Sequence, residues 1–207
     1  MFITLEDGYY LIGGNGTQHN NLHFNGTTIK VRQNLPQEKT FFAAVHLRGR
    51  IYTFGGYDSY DKVQLDQCEY YDLKQDRWFN SPIQRPNGQV EFKLHQSRSQ
   101  SSCCVYEDNT IYIFGGYNRE SGTLASIEKF DLTTKKVTKM DLVIPQPVRR
   151  FVSMKISTTK ILLIGGLGEN SEELDAVFCF DLDKEYTIEQ LDKIDRAGII
   201  DSPIILD

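Results

Sequence analysis

Four times along this chain a short apolar run ends in two glycines. Tyr9-Tyr10-Leu11-Ile12 leads into Gly13-Gly14, Ile51-Tyr52-Thr53-Phe54 into Gly55-Gly56, Ile111-Tyr112-Ile113-Phe114 into Gly115-Gly116, and Ile161-Leu162-Leu163-Ile164 into Gly165-Gly166. A polar pair precedes each run: Asp7-Gly8, Gly49-Arg50, Asn109-Thr110 and Thr159-Lys160. One pair of glycines would say little, but recurrence in one frame marks an internal repeat.

The pattern predicts the strands. A short strand stands ahead of each polar pair, at 2–5, 43–47, 102–106 and 152–156, and a tight turn joins it to the apolar run as a β-hairpin. Consecutive apolar positions predict a second strand buried on both faces. A third strand ends in aromatic-Asp-Leu, at Tyr71-Asp72-Leu73, Phe130-Asp131-Leu132 and Phe180-Asp181-Leu182. An Asp at that point suits a turn, because its carboxylate can accept bonds from N–H groups about two residues ahead. In the first repeat Thr28-Ile29-Lys30-Val31 stands in the third strand's place. A fourth strand carries Trp78, Val137 or Ile188. Four antiparallel strands in a repeat of about 50 residues describe the blade of a β-propeller.

The double glycines, the aromatic-Asp-Leu and Trp78 together resemble kelch repeats over nearly the whole chain, most closely at 41–78, 102–138 and 150–188. The resemblance implies an all-β kelch-type propeller of four recognisable blades, with repeats at 1–40, 41–100, 101–149 and 150–200. Arg150 sits where kelch blades often carry an arginine, and Arg98 lies close to that place in the preceding repeat. Residues 201–207, with Ser202-Pro203-Ile204-Ile205-Leu206-Asp207, read as the first strand of a further blade. Propellers have roughly 4–8 blades and kelch ones about five to seven, and closure hides their strand edges. The reading is therefore a segment of a larger propeller, completed by the rest of a longer chain or by another subunit.

Composition narrows the function. With 40% hydrophobic and 25% charged residues among 207, the chain has ordinary globular proportions. A net charge of −5 gives no general attraction to nucleic acid or anionic membranes. No run approaches the roughly 20 apolar residues of a membrane span, and no signal peptide is expected in the opening residues, so membrane insertion is not expected. Cys68, Cys103, Cys104 and Cys179 lack C-x-x-C spacing and read as buried thiols of an intracellular protein, either cytoplasmic or associated with the cytoskeleton. The sequons at Asn15 and Asn25 then read as chance matches.

Candidate chemistry is sparse. No helix follows the double glycines, so they are structural and not a phosphate cradle. His19 and His23 share a polar stretch and read as solvated residues without a metal. Asp72, Asp131 and Asp181 recur with the repeat, as turn formers do. No cofactor is implied, and the repeats lack the tyrosine, cysteine and histidine ligands of copper enzymes that share the kelch architecture. The informative feature is the set of loops at 57–67, 117–126 and 167–175, which share a face with the interblade links. That face is expected to carry Tyr57, Asp58, Tyr60, Asp61, Arg98, Tyr117, Arg119, Arg149 and Arg150, rich in the Tyr and Arg of interface hot spots. The link at 79–101 is unusually long. Its Val90, Phe92 and Leu94 alternate with polar residues, either lengthening a blade or forming a projecting arm. The reading is a non-catalytic protein-interaction scaffold or adaptor, which the resemblance extends to cytoskeletal or ubiquitin-ligase substrate-recognition roles. The alternative is a sugar-modifying enzyme or oxidase with a central pocket.

Overall fold

The computed structural model describes residues 1–14, 20–79, 84–85, 88–89, 92–183 and 187–191, with 84–85 and 88–89 as backbone alone. The expected strand at 202–207 lies outside the described residues. All regular structure among the described residues is β. Blade 1 is β1 (Phe2–Leu5), β2 (Gly8–Ile12), β3 (Asn21–Phe24) and β4 (Ile29–Val31), and blade 2 is β5 (Ala43–Leu47), β6 (Arg50–Asp58), β7 (Val63–Asp72) and β8 (Arg77–Phe79). A two-residue hairpin follows, β9 (Gln84–Arg85) and β10 (Gly88–Gln89). Blade 3 is β11 (Ser102–Tyr106), β12 (Thr110–Phe114), β15 (Ser126–Asp131) and β16 (Lys136–Val143), with the small hairpin β13 (Tyr117–Asn118) and β14 (Gly122–Thr123) inserted. Blade 4 is β17 (Val152–Lys155), β18 (Lys160–Ile164), β19 (Val177–Asp181) and β20 (Thr187–Gln190). Each blade is an antiparallel sheet in chain order. The chain forms two compact units, Met1–Ser99 with blades 1 and 2 and Gln100–Asp207 with blades 3 and 4.

Blade 1 departs from the expected layout. Its third strand is β3, and Ile29–Val31 is the fourth, paired as Leu22↔Val31 and Phe24↔Ile29. Phe24-Asn25-Gly26 fills the place of aromatic-Asp-Leu. Asn25 Oδ1 accepts from the N–H groups of Thr27 and Thr28 at 3.1 and 2.9 Å. Asp72 Oδ1 accepts from Lys74 and Gln75, and Asp131 Oδ1 from Thr133 and Thr134. An amide oxygen closes the turn as a carboxylate does, so the motif was present with Asn in place of Asp. Asp181 does the same toward Asp183, and its other oxygen lies 3.6 Å from Lys160 Nζ, as Asp72 lies 3.3 Å from Arg50 Nε.

The glycines let the backbone pass. Gly56 N–H donates to the Arg98 carbonyl at 2.8 Å, and Gly116 N–H to the Val148 carbonyl at 2.9 Å. These carbonyls belong to the links that leave each blade, and they press on the first glycine of each pair. A Cβ on Gly55 would lie 2.3 Å from the Arg98 oxygen, and one on Gly115 2.4 Å from the Val148 oxygen, with φ at +60° and +51°. No side chain fits there.

The register places the core. In unit 1, Ile3, Tyr10 and Ile12 of blade 1 pack with Ile51, Tyr71 and Trp78 of blade 2, joined by Leu35 and Phe42 from the link. In unit 2, Cys104, Tyr112 and Phe114 of blade 3 pack with Ile161, Leu163, Phe178 and Phe180 of blade 4. The Tyr112 and Phe180 rings meet edge-on at 5.2 Å. The second strand is buried on both faces in β12 and over Ile51–Gly56 of β6, as expected, but β2 alternates between buried and exposed positions. One face of β2 has no blade packed on it within its unit.

One polar group lies deep in unit 1. Lys39 Nζ donates to Glu69 Oε2 at 2.6 Å and Thr53 Oγ1 at 3.0 Å, and both charged side chains are buried. Lys39→Met, which strands the Glu69 carboxylate, is expected to cost about 3–5 kcal/mol in chemical denaturation, whereas Lys39→Met with Glu69→Leu regains most of it. Gly55→Ala is expected to cost more than the roughly 1–3 kcal/mol of a left-handed non-glycine residue, because its methyl also strikes the Arg98 carbonyl. Gly49→Ala, at φ +70° with open space around it, carries the backbone part alone.

Candidate functional site

The expected loops are largely strand and tight turn. β6 runs through its glycines to Asp58 and β7 starts at Val63, with Tyr57↔Gln64 and Asp58↔Val63 in register. The cross-strand ladder continues past the glycines, and on its other side Tyr57 exchanges backbone bonds of 2.7 and 2.9 Å with Thr40. Asp58 is not displayed for a partner. Its Oδ1 accepts from Tyr60 and Asp61 N–H at 2.8 and 3.0 Å, its Oδ2 accepts from Gln37 Nε2 at 2.9 Å, and the residue is buried. Tyr60, raised on this cage, is 88% exposed. Tyr57 is half-buried and Asp61 exposed.

Unit 2 repeats the device. Asn118 Oδ1 accepts from Glu120 and Ser121 N–H at 2.9 and 3.1 Å, and Arg119 stands exposed on the turn. Gly-Gly-Tyr-Asx in both repeats was the sequence signal for this cage, and it was missed because Asp58 and Asn118 were read as loop residues. Beside the turn, the Arg149 guanidinium lies 5.2 Å from the Tyr117 ring centroid. Arg149 Nη2 donates to Ser171 Oγ at 2.7 Å, while Arg149 Nη1 and Arg150 Nε both donate to Gln100 Oε1 at 3.1 and 3.2 Å. Tyr117, Arg149 and Arg150 are thus brought together, half-buried. In the third loop Leu167 bridges Arg149 and Glu173, and Glu172 Oε2 accepts from Asn170 N–H at 2.8 Å.

Arg98 is not a surface anchor. It is 0% exposed, its N–H donates to the Leu65 carbonyl at 3.0 Å, and its Nε donates to the Gln96 carbonyl at 3.3 Å. Val148 N–H bonds the Leu124 carbonyl at 3.1 Å in the same way, so Arg98 and Val148 are equivalent, and Arg150 corresponds to Gln100 two residues on. The shared left-handed backbone of Gln100 (φ 58°) and Arg150 (φ 53°) agrees with that alignment.

The long link joins the blade where it can be described. Cys68 N–H donates to the Phe92 carbonyl at 3.0 Å and Leu94 N–H to the Asp66 carbonyl at 2.8 Å, with Phe92 and Leu94 buried. Residues 92–94 therefore lengthen blade 2; Val90 lies outside the described residues. His23 is a β3 residue and buried, not solvated. Its Nε2 lies 3.0 Å from the Asp7 carbonyl, its Nδ1 faces Arg32 Nη2 at 3.2 Å, and its ring stacks on Tyr10 at 4.4 Å. His19 lies outside the described residues. No helix is long and apolar enough to cross a membrane among the described residues.

The KLHDC2/KLHL20/DRC7 Kelch-repeats domain family matches residues 44–198. This chain belongs to the kelch-repeat family. It is 30% identical to Kelch domain-containing protein 10 of Xenopus tropicalis over 113 residues, 55% of this chain and 26% of that protein. Against Kelch domain-containing protein 3 of Bos taurus it is 27% identical over 97 residues, 45% of this chain and 25% of that protein. The kelch chain thus spans about a quarter of the length of these relatives. A solved structure of YjhT superposes with a TM-score of 0.74 at 14% identity, covering 94% of this chain and 65% of that one, a likeness of fold alone. The fold is that of kelch propeller blades.

The caged carboxylate of this kelch blade gives a pH test. Burial by itself would raise the Asp58 pKa, but the bonds from Asp61 N–H, Gln37 and Tyr60 N–H together hold it below the ordinary value. A depressed carboxylate pKa contributes stability that is present above the unfolded value of about 3.9 and lost as pH falls through the folded one. Asn118 shows that a neutral amide forms the same cage. Wild type should therefore lose stability relative to Asp58→Asn as urea melts are moved from pH 6 to pH 3; parallel pH profiles would exclude the charged cage.

Proposed function

We propose that this kelch segment is a non-catalytic interaction scaffold whose strand-2 to strand-3 tips, with the adjoining link residues, hold a protein partner. The observation that carries the reading is the construction of the tips. Buried Asx side chains fix each turn, so Tyr60 in one unit and Arg119 in the other are displayed on backbone that needs no ordering when a partner arrives. Tyr and Arg on rigid supports are the residue types that dominate interface energies.

In unit 2 the anchor is more specific. Arg149 is preset by Tyr117 and Ser171, and Arg150 shares the same amide oxygen of Gln100. Two guanidinium groups side by side suit a partner segment that brings a carboxylate, which an arginine fork can hold through two bonds. Cytoskeletal attachment and substrate recognition within a ubiquitin ligase are both adaptor roles compatible with this reading, as is a cytoplasmic location.

The test is affinity capture with the tagged full-length protein, followed by mass spectrometry. Tyr60→Ala with Arg119→Ala is expected to strip the specific partners while circular dichroism stays unchanged, since both side chains are exposed. Arg149→Gln should weaken the same partners, and more so at low salt, where charge pairing contributes most. An unchanged partner list in both variants overturns the reading, and turnover of a small molecule by the wild type would replace it with an enzyme.

A further inference from the structure

Arg149 carries its charge among neutral partners. Its Nη2 donates to Ser171 Oγ at 2.7 Å, its Nη1 donates to Gln100 Oε1 at 3.1 Å, and its guanidinium faces the Tyr117 ring at 5.2 Å. Its Nε is buried and bonded to nothing among the described residues. A guanidinium offers five N–H donors in a fixed fork that matches the oxygens of a carboxylate or a phosphate. The backbone sets this fork in place. Arg149 and Leu167 exchange bonds of 3.0 and 2.7 Å, which lays the arginine beside the hairpin that follows Gly165-Gly166. At the corresponding place in unit 1 the paired residue is Thr40, which carries no charge.

Ser171 stands on the turn of that hairpin with its backbone left-handed, at φ +65°. Residues 169–173 are all exposed. The turn is closed by Gly168 N–H to the Glu172 carbonyl at 2.9 Å and by Ser171 N–H to the Gly168 carbonyl at 3.3 Å. So few bonds let the segment open locally to enter an enzyme's active site. Around the hydroxyl the chain reads Glu169-Asn170-Ser171-Glu172-Glu173. Carboxylates on both sides of an exposed serine suit an enzyme with a basic substrate groove. Those carboxylates are exposed and screened by salt, whereas Arg149 is half-buried. For a further anion on Ser171, the arginine therefore outweighs the repulsion.

We propose that Ser171 is a phosphorylation site, and that its phosphate takes the Arg149 guanidinium and so releases the partner held there. The donor is ATP, delivered by a serine/threonine kinase that selects acidic segments. The bond from Ser171 Oγ to the γ-phosphorus forms, the bond from that phosphorus to the bridging oxygen of ADP breaks, and the hydroxyl proton passes to the kinase's catalytic base. The product carries about −1.5 to −2 charges and three strong acceptor oxygens. They arrive on the oxygen to which Arg149 Nη2 already donates. A fork can hold two of them at once, which the serine hydroxyl does not offer. The release rests on the reading above that Arg149 anchors a carboxylate of the partner; the phosphate site does not.

The chain is incubated with magnesium ATP and an acidophilic serine/threonine kinase, and its peptides are mapped by mass spectrometry. Phosphate is expected on the peptide that contains Ser171 and not in Ser171→Ala, an exposed position that folding tolerates. No phosphate there overturns the proposal. The phosphorus resonance of the modified chain should then titrate below the value of about 6 of a free phosphoserine, and Arg149→Gln should return it. A resonance that titrates at the free value in both chains shows a phosphate turned to solvent, and overturns the proposal too. In affinity capture, the phosphorylated chain should lose the partners that Arg149→Gln weakens, at least as far as that variant does, and phosphatase should restore them. Partners that need Arg149 but survive phosphorylation overturn the release. Partners indifferent to Arg149→Gln sink the anchor reading and the release with it, while the phosphate site stands on its titration.

Discussion

The constraint on which the rest depends is the passage of a carbonyl over a residue without a side chain. The chain leaving one blade must cross the end of the second strand, and it does so with the Arg98 and Val148 carbonyls bonded to Gly56 and Gly116. The bonds fix the depth of the link, and the depth fixes which link residue turns inward. That residue is Lys39, Arg98 or Val148, and all three are buried. A buried Val needs only apolar neighbours. A buried Lys needs a counter-charge, which Glu69 supplies from the middle of β7 together with Thr53 of β6. The double glycine therefore dictates not only a turn but the chemistry of side chains some tens of residues away.

The same frame sorts every strand residue to one face or the other. Once the first glycine is placed, alternation sends Tyr10, Tyr112 and Leu162 to one side of their blades and Tyr9, Ile51, Ile111 and Ile161 to the other. Whether such a residue is then buried depends only on whether a blade lies against it. Ile51 and Tyr9 occupy one register position with opposite exposure. The hydrophobic pattern thus records the faces a blade is built to cover.

Much of this was legible because the repeat is written in residues that have few substitutes. Glycine at the crossing cannot be replaced, and Asp at the end of the third strand bonds the N–H groups expected of it in three repeats. Blade 1 was misread where a substitute exists: Asn25 closes the same turn with an amide, and its shorter second-to-third connection shifted the strand assignment. Arg98 was misread for another reason. A charged residue in a link is solvated unless the backbone carries it inside, and that is decided by a carbonyl contact with Gly55 that no local pattern displays. Asp58 failed likewise, because its partner Gln37 comes from a distant stretch of chain. Tyr117, Arg149 and Arg150 come together because their loops are adjacent by the rules of antiparallel connection.

The tips complete the argument from construction to role. Asp58 and Asn118 close their turns from one register position with a carboxylate and an amide, so the turn does not require either, while the third tip has Gly168 at that position. On top of the two equivalent supports stand unlike residues, Tyr60-Asp61-Lys62 and Arg119-Glu120-Ser121. Inward positions are held to a narrow set by the glycine crossing and the packed rows, while outward positions at the tips vary freely from repeat to repeat. A scaffold that fixes its backbone with buried side chains can change what it displays without changing how it folds. That separation is what a recognition surface requires, and the partner site proposed for this kelch chain draws on it.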